Sequence, residues 1–314
     1  MNKRNSNRIP IKNSTTPVNL SVLVRKYLQA SLSENTRIAY INDLAHFMKW
    51  GGHIPTNPES IAAYLADHAE KLSFATLSRR VVAIGKAHVA KGVKSPTQSE
   101  LVKATLHGIR RINGKSQRRV KPAQLHDVQE MVDGLEGAKG LRDKALLLIG
   151  FAGAFRRSEL VSLQVKDVHL VAEGIVINLR RSKTDQIGKG RDIAIPRVRG
   201  KYCPVKALRE WLNFSGIVNG AIFRRVSRYG QVMNHGLSGP SVALIVKQHA
   251  KSVGLDASQY SGHSLRAGFV TSAAKSGVSS WKICQQTGHQ SSEVMQRYIR
   301  DSHLFVDNPL GRMW

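Results

Sequence analysis

The first third of the chain repeats its hydrophobic positions at the spacing of an α-helix. Between residues 38 and 48 the apolar side chains recur every three or four positions, at Ile38, Ile41, Ala45 and Met48. This period predicts a helix that turns the stripe toward a core, with Leu44 and Phe47 beside it. Ser33 is suited to cap the start of the helix, and the Gly51-Gly52 pair is suited to end it.

Further helices are predicted in the same region from their periods and boundary residues. They open after Asn57-Pro58, run through Leu77–His88 to a stop at Gly92, and open again at Ser95-Pro96 toward Ile109. Basic side chains fall between the apolar ones, so we expect them on outer faces. These elements predict a helical domain over residues 18–112. A polar, basic arm at 1–17 has a composition typical of disorder.

Beyond residue 122 the pattern changes to helices mixed with short strands. An apolar run over 141–154 predicts a helix, and helical periods return after Cys203-Pro204. Between them lie three segments rich in Val or Ile, which are Val165–Leu170, Ile175–Leu179 and Arg191–Pro196. The last two flank a turn at 186–190 and are predicted to pair as a hairpin. The predicted fold class is mainly α with a small β-sheet, the second part being α+β.

Residues 113–122 are polar, basic and without periodicity, which predicts a linker between two domains. An ordinary loop within one domain would have the same composition, because short connections are common. The chain has 314 residues, long enough for two modest cores. The predicted division is therefore a helical domain at 18–112, the linker, and a second domain at 123–314.

The charge of the chain indicates the class of partner. Lys and Arg number 48 against 21 Asp and Glu, a formal net charge of +27. Of these, 21 basic and 6 acidic residues precede position 123, so both predicted domains are basic. This excess predicts a nucleic-acid partner whose binding weakens steeply with salt, because each neutralised phosphate releases a counterion. A basic protein of the ribosomal kind is the alternative.

The sequence offers little for a metal, disulfide or membrane site. Two cysteines, Cys203 and Cys284, are too few for a disulfide framework, and no Cys/His group has zinc spacing. The longest apolar run, 145–154, is too short to span a bilayer, and the first dozen residues do not form a secretory signal. We expect no metal, no cofactor and no membrane partner. The expected location is the cytoplasm, at the nucleoid in a bacterium.

Six residues far apart in the sequence have side chains suited to phosphodiester transfer. Without a metal, fixed cations must stabilise the charged transition state, and the planar fork of arginine binds two phosphate oxygens at once. Imidazoles can move protons, a lysine whose pKa is lowered by neighbouring charges can act as an acid, and a phenol in a cationic pocket can attack phosphorus. The candidates are Arg156, Lys183, His263, Arg266, His289 and Tyr298.

Each candidate taken alone also has an ordinary structural explanation. Arg156 would be a surface arginine, and Tyr298 a core tyrosine on an amphipathic helix. Arg181 and Lys189 compete with Lys183 for the same role. The set as a whole is much more specific than any member of it.

The order and context of the six residues resemble the tyrosine recombinase (phage integrase) family. The family pattern Gly-x-Arg-x-x-Glu-Leu resembles the segment Ala154–Leu160, with alanine in place of glycine. His263-Ser-Leu-Arg266 and Gly288-His289 follow in the family's order. Ser33–Arg37 and Tyr260–Ser264 look especially similar to the Cre-like branch of simple recombinases. Cre itself differs in one respect, since it has tryptophan at the position that corresponds to His289.

The resemblance implies roles for these residues. Arg156, with Glu159 orienting it, would be a catalytic arginine, Lys183 the general acid for the leaving 5′ oxygen, and Tyr298 the nucleophile. His263, Arg266 and His289 would complete the phosphate site. Candidate DNA contacts are the basic residues Arg79, Arg80, Lys86, Arg110, Arg111, Arg118, Arg119 and Arg181.

The resemblance also implies an architecture and a reaction. The family's two domains form a C-shaped clamp around duplex DNA, a helical core-binding domain and a catalytic domain. Strands are exchanged through a 3′-phosphotyrosyl link and a Holliday junction by a homotetramer on two sites with inverted-repeat half-sites. The products are integration, excision, resolution or inversion of DNA. Residues 301–314 would dock on a neighbouring protomer.

Other functions share part of this pattern. Only about twenty residues precede the predicted helical domain, too few for a further arm-binding fold, which favours a simple recombinase of a mobile element. A type IB topoisomerase or a telomere resolvase would use the same chemistry. A DNA-binding regulator without activity is the alternative outside the enzymes.

Overall fold

The structure of the protein is a computed structural model that describes residues 31–114, 120–180 and 190–288. The chain divides into two compact units, Met1–Gln117 and Arg118–Trp314. The predicted linker at 113–122 brackets this division, but most of its middle lies outside the described residues. The predicted arm at 1–17 lies outside them as well.

The described part of the first unit is helical. Its helices are α1 (Glu34–Trp50), α2 (Pro58–His68), α3 (Phe74–Ala90) and α4 (Glu100–Asn113). The backbone N–H of Thr36 donates to Ser33 Oγ, and Gly51 closes α1 in the left-handed conformation, both as predicted. The single helix predicted from Ser95 is instead divided, because Ser99 caps α4 after a short 3₁₀ turn.

The buried face of α1 is not the one that its hydrophobic period predicts. Phe47 and Asp43 are buried, whereas Ile38, Ile41 and Met48 are between 49% and 60% exposed. The physical reason is a buried carboxylate. Asp43 pairs with two arginines of α3, and this bonding turns its side of the helix inward. Phe47 then packs edge-on against the ring of Tyr64 in α2.

The second unit combines helices with two small sheets. Its helices are α5 (Leu125–Val132), α6 (Gly137–Ala152), α7 (Arg157–Ser162), α8 (Pro204–Ser215), α9 (Gly239–Ser252), α10 (Ser264–Lys275) and α11 (Ser280–Thr287). Its strands are β1 (Val168–Leu170), β2 (Gly174–Leu179), β3 (Arg191–Pro196), β4 (Arg224–Val226) and β5 (Val232–Gly236). The mainly helical fold with a small sheet is therefore confirmed.

The larger sheet pairs β1, β2 and β3 in that order, all antiparallel. Ile175 lies opposite Ile195 and Ile177 opposite Ile193, and all four are buried. The predicted pairing of the last two strands is confirmed. The predicted strand start at Val165 is wrong, since 165–167 form a 3₁₀ turn. The β4–β5 pair was not predicted from the sequence.

The core of the second unit is built around α6, which is buried along most of its length. Among its buried residues is Asp143, which accepts bonds from Arg142 and lies 3.0 Å from His249 Nε2 of α9. The indole of Trp211 on α8 donates to the carbonyl of Ile222. The contact between Asp143 and His249 joins the N-terminal half of α6 to α9. Among the described residues, no helix has the length and apolar content to cross a membrane.

Candidate active site

A tight turn after α6 presents Arg156. Gly153 and Ala154 follow the helix, and Ala154 has a φ of +48°, the only positive φ at a described non-glycine residue. An L-residue in this left-handed region is strained by about 1 kcal/mol, whereas glycine is not. The backbone N–H of Phe155 returns to the carbonyl of Gly150, which closes the turn. The glycine of the family pattern thus suits a conformation that this chain adopts with alanine.

Glu159 holds Arg156 at the start of α7. One carboxylate oxygen accepts from the backbone N–H of Arg156 at 2.9 Å, and the other accepts from its Nη1 at 2.6 Å. The side chain of Glu159 is 2% exposed and that of Arg156 is 17% exposed. A charge-assisted bond at this burial fixes the direction of the guanidinium. The structure therefore joins Glu159 to Arg156 as the sequence predicts.

Arg266 lies in the first turn of α10 and is fully buried. Its Nη1 donates to the carbonyl of Ala154 at 2.7 Å, so it is tied to the turn that presents Arg156. Gly268 on the same helix lets the backbone of Ala123 approach it, because an added Cβ would lie 1.6 Å from that residue's oxygen. Gly268 is therefore a position of close packing inside the second unit.

His263 precedes α10 as its N-cap residue, with one side open to solvent. Partial desolvation lowers the pKa of its imidazole, and the positive charges of Arg266 and Arg156 lower it further. The ring is therefore neutral at pH 7 in the absence of a ligand. A neutral imidazole can accept a proton or donate its own N–H to an oxygen.

Arg191 joins this cluster, although the sequence did not mark it as a site residue. Its Nη2 is 3.8 Å from Glu159 Oε2, and its Nη1 donates to the carbonyl of Gln286 at 2.6 Å. Burial lowers the pKa of its guanidinium, Glu159 raises it, and Arg156 lowers it. As one of 48 basic residues at the end of a turn, it had no distinguishing sequence signal.

Three of the six catalytic candidates lie outside the described residues, namely Lys183, His289 and Tyr298. Strands β2 and β3 flank the segment that contains Lys183. Helix α11 ends at Thr287, and Gly288 closes it with a φ of +67°. His289 is the next residue in the chain.

The candidate DNA contacts have different environments. Arg80 is 9% exposed and bound to Asp43 and Tyr64, so its predicted place on an outer face is wrong. The carboxylate and the phenol pull its guanidinium into the core. Arg79 pairs with Asp43 but is half exposed. Three others, Lys86, Arg110 and Arg111, are exposed. The remaining three, Arg118, Arg119 and Arg181, lie outside the described residues, as does Lys189.

The described ranges contain no cluster of three or more His, Cys, Asp or Glu side chains arranged to hold a metal ion. What they do contain is a cationic pocket. Arg156 and Arg191 share the carboxylate of Glu159, and the charges of Arg156 and Arg266 act on the imidazole of His263. The arrangement suits a doubly charged oxyanion such as a phosphate, which arginines bind through paired hydrogen bonds.

Comparison with known proteins gives this pocket a context. The pattern of the phage integrase family matches residues 120–303, more than half of the chain. An integrase/recombinase XerD homolog of Selenomonas ruminantium is 40% identical over 99% of this chain and 95% of the relative. Recombinase Cre of Escherichia phage P1 is 25% identical over 84% of this chain and 80% of the relative.

Among solved structures, a lambda integrase dimer bound to a core site superposes with a TM-score of 0.63 at 17% identity. The match covers 91% of this chain and 77% of that one. At this identity the likeness shows the fold alone. The sequence matches show more: the chain belongs to the phage integrase family. Within that family it is a tyrosine-type site-specific recombinase, an enzyme that cleaves and rejoins DNA. The Xer-type relative is more similar to it than Cre is.

Proposed function

We propose that the cationic pocket binds the scissile phosphate and that Arg156 and Arg266 are its two phosphate-binding arginines. The observation that carries the proposal is the hydrogen bond from Arg266 Nη1 to the carbonyl of Ala154, two residues before Arg156. It holds two guanidiniums from distant parts of the sequence at one place. Fixed donors of this kind stabilise the charge that develops in the transition state at no further reorganisation cost.

His263 would handle a proton at this phosphate. Its lowered pKa keeps it neutral, so it can accept the phenolic proton as the nucleophile attacks. The two arginines that bind the phosphate are the same charges that hold the imidazole neutral. Once the dianionic transition state forms, it offsets those charges and favours the protonated ring.

The remaining steps belong to residues outside the described ranges. Tyr298 would form a bond to phosphorus through its oxygen as the bond to the 5′ oxygen breaks. Lys183 would give the leaving 5′ oxygen its proton, with His289 as a further donor to the phosphate. The product is a 3′-phosphotyrosyl link and a free 5′ hydroxyl. Attack by the hydroxyl of a partner duplex reverses the step, so no external energy source is needed.

We further propose that the partner is double-stranded DNA with inverted-repeat half-sites, bound by four protomers on two sites that exchange strands through a Holliday junction. The net charge of +27 supports a DNA partner, and related proteins have been crystallised on DNA sites, lambda integrase as a dimer. Exposed Lys86, Arg110 and Arg111 are the described candidates for backbone contacts. A cytoplasmic location follows from this partner.

The C-terminal segment would dock on a neighbouring protomer. Deletion of 304–314 should leave half-site binding intact and weaken the pairing of two sites, measured by gel shift with one and two duplexes. Unchanged recombination by the shortened chain would contradict this docking.

A nicked suicide duplex tests the proposed catalysis. After cleavage the short strand with the 5′ hydroxyl diffuses away, so the reverse reaction is prevented and the covalent intermediate accumulates. The unaltered protein should become linked to DNA. Tyr298→Phe should bind the duplex with the same affinity and form no link. Equal trapping by the two proteins would exclude Tyr298 as the nucleophile.

A further inference from the structure

We propose that Arg191 is a positioning residue of this active site, which fixes the end of helix α11 and the carboxylate of Glu159 relative to each other. The proposal deepens the proposed function, since it takes Arg156 to bind the scissile phosphate. Arg191 opens strand β3, directly after the segment that carries Lys183. Its guanidinium lies between strand β3, the Arg156–Glu159 pair and helix α11.

The first contact is with the C-terminal end of α11. Arg191 Nη1 donates to the carbonyl of Gln286 at 2.6 Å and lies 3.4 Å from that of Gln285. The last carbonyls of a helix have no partner inside it and carry partial negative charge. A cation placed there satisfies them and fixes where the helix ends.

The side chain of Gln286 also holds the C-terminal end of α11 through hydrogen bonds. The amide of Gln286 donates to the carbonyl of Ala152 at the end of α6 and to the carbonyl of Ala194 in β3. Arg191 of β3 thus bonds to the backbone of α11, and Gln286 of α11 bonds to the backbone of β3. The end of α11 is thus tied both to the sheet and to the turn that presents Arg156.

Gly288 packs directly on the Arg191 guanidinium. A Cβ at this glycine would lie 2.9 Å from both Cζ and Nε of Arg191, and its φ of +67° already favours glycine. The helix terminus is therefore in van der Waals contact with the plane of the guanidinium. His289, a candidate phosphate ligand, follows Gly288 in the chain, so its starting point depends on this contact.

The other side of Arg191 faces Glu159. Nη2 is 3.8 Å from Oε2 of the carboxylate that binds Arg156, and one carboxylate thus serves two guanidiniums. Arg191 Nε and Nη2 are buried and have no hydrogen-bond partner in the part of the chain that the structure describes. Buried donors that bind no acceptor are costly for the free protein. Its presence is explained if the positive charge serves a site that binds an anion.

The test is a single-turnover measurement of covalent trapping on the nicked suicide duplex, at protein concentrations that saturate the DNA. Arg191→Met keeps an unbranched, though shorter, apolar stem and removes the charge and the donors. We expect trapping to slow about 10- to 100-fold, the loss typical of one charged hydrogen bond, with Kd for the duplex within about three-fold of the original. Arg199→Met, at an exposed arginine past the same strand, is the matched control and should change neither value.

Arg191→Lys separates positioning from simple charge. Lysine keeps the positive charge but lacks the fork that reaches both Gln286 and Glu159. We expect slowed trapping with an unchanged melting temperature. A trapping rate equal to that of the unaltered protein would overturn the proposal. Failure of both variants to fold would also overturn it, because Arg191 would then be a core residue.

A double-mutant cycle shows whether Arg191 acts through Glu159. If it does, Arg191→Met combined with Glu159→Gln should be little slower than the worse single variant. Losses that multiply would mean that the two residues act independently and would contradict the proposal. Failure of the proposed function would give a different result. The unaltered protein would then form no covalent link to DNA, or Tyr298→Phe would form as much of it as the unaltered protein does.

Discussion

Replacement of Asp43 by alanine should strongly destabilise the first unit, because it removes the carboxylate that pairs with a buried arginine. The carboxylate is 2% exposed and accepts bonds from Arg79 Nε at 2.7 Å and Nη2 at 3.0 Å. It also lies 3.4 Å from Nε of Arg80, whose Nη1 donates to Tyr64 at 2.8 Å. In Asp43→Ala the buried guanidinium of Arg80 would lose its only carboxylate among the described residues.

The size of the effect follows from the exposure of the two arginines. The Arg79 side chain is half exposed, so its pairing with Asp43 contributes about 1 kcal/mol or less. The Arg80 side chain is 10% exposed, and breaking a buried pair by removing one partner costs about 3–5 kcal/mol. The expected loss is therefore about 4 kcal/mol, a large part of the stability of a typical domain, about 5–15 kcal/mol.

Amide hydrogen exchange of the full chain, read by mass spectrometry, gives the opening free energy of each unit separately. Asp43→Ala should lower it for peptides from α1 to α4 and leave peptides from α6 unchanged. Arg79→Met is the matched control and should cost about 1 kcal/mol or less. A loss below about 1 kcal/mol in Asp43→Ala would refute the reasoning. So would an Arg80→Met protein that keeps its stability but binds DNA with a smaller salt slope, because Arg80 would then be a DNA contact.

Further predictions concern single residues. The imidazole of His263, followed by NMR without DNA, should titrate below pH 6.5, and a value at or above 6.5 would contradict its place beside two arginines. Burial, Arg80 and His68 lower the pKa of His46 despite the opposing charge of Asp43. Because the unfolded chain then binds a proton more readily, the first unit should lose stability as the pH falls below about 6.5. Constant stability from pH 7 to 5 would argue against this. Gly268→Ala should destabilise the second unit by at least about 2 kcal/mol in urea titrations, whereas Gly108→Ala, where an added Cβ meets nothing, should stabilise the first by about 0.5–1 kcal/mol.

Local signals in the sequence predicted the helix ends and the hairpin strands well. Ser33 and Gly51 mark the two ends of α1, because the Ser33 hydroxyl caps its first turn and Gly51 adopts the left-handed conformation after its last. Strands β2 and β3 could be paired because their alternating Val and Ile residues are close in the chain. The short β4–β5 pair has too few apolar residues to give such a signal.

What the sequence could not supply was the effect of contacts between distant residues. The apolar stripe of α1 predicted the wrong buried face, because Asp43 forms its bonds with α3 and brings its own side of the helix inward. Arg80 and Arg191 could not be told from the other basic residues until their burial was known. The motif residues Arg156, His263 and Arg266 were identified by their context, and the structure brings these three together.

A methylphosphonate at the scissile position shows whether Arg156 and Arg266 neutralise charge on the phosphate. The substitution replaces one charged non-bridging oxygen with a methyl group, so less positive charge is needed in the transition state. On the ordinary phosphate, Arg156→Ala and Arg266→Ala should each slow covalent trapping about 100-fold or more. On the methylphosphonate, at least one of them should approach the rate of the unaltered protein. If both variants remain as slow on the neutral substrate as on the phosphate, the arginines do not act on that charge and the account is contradicted.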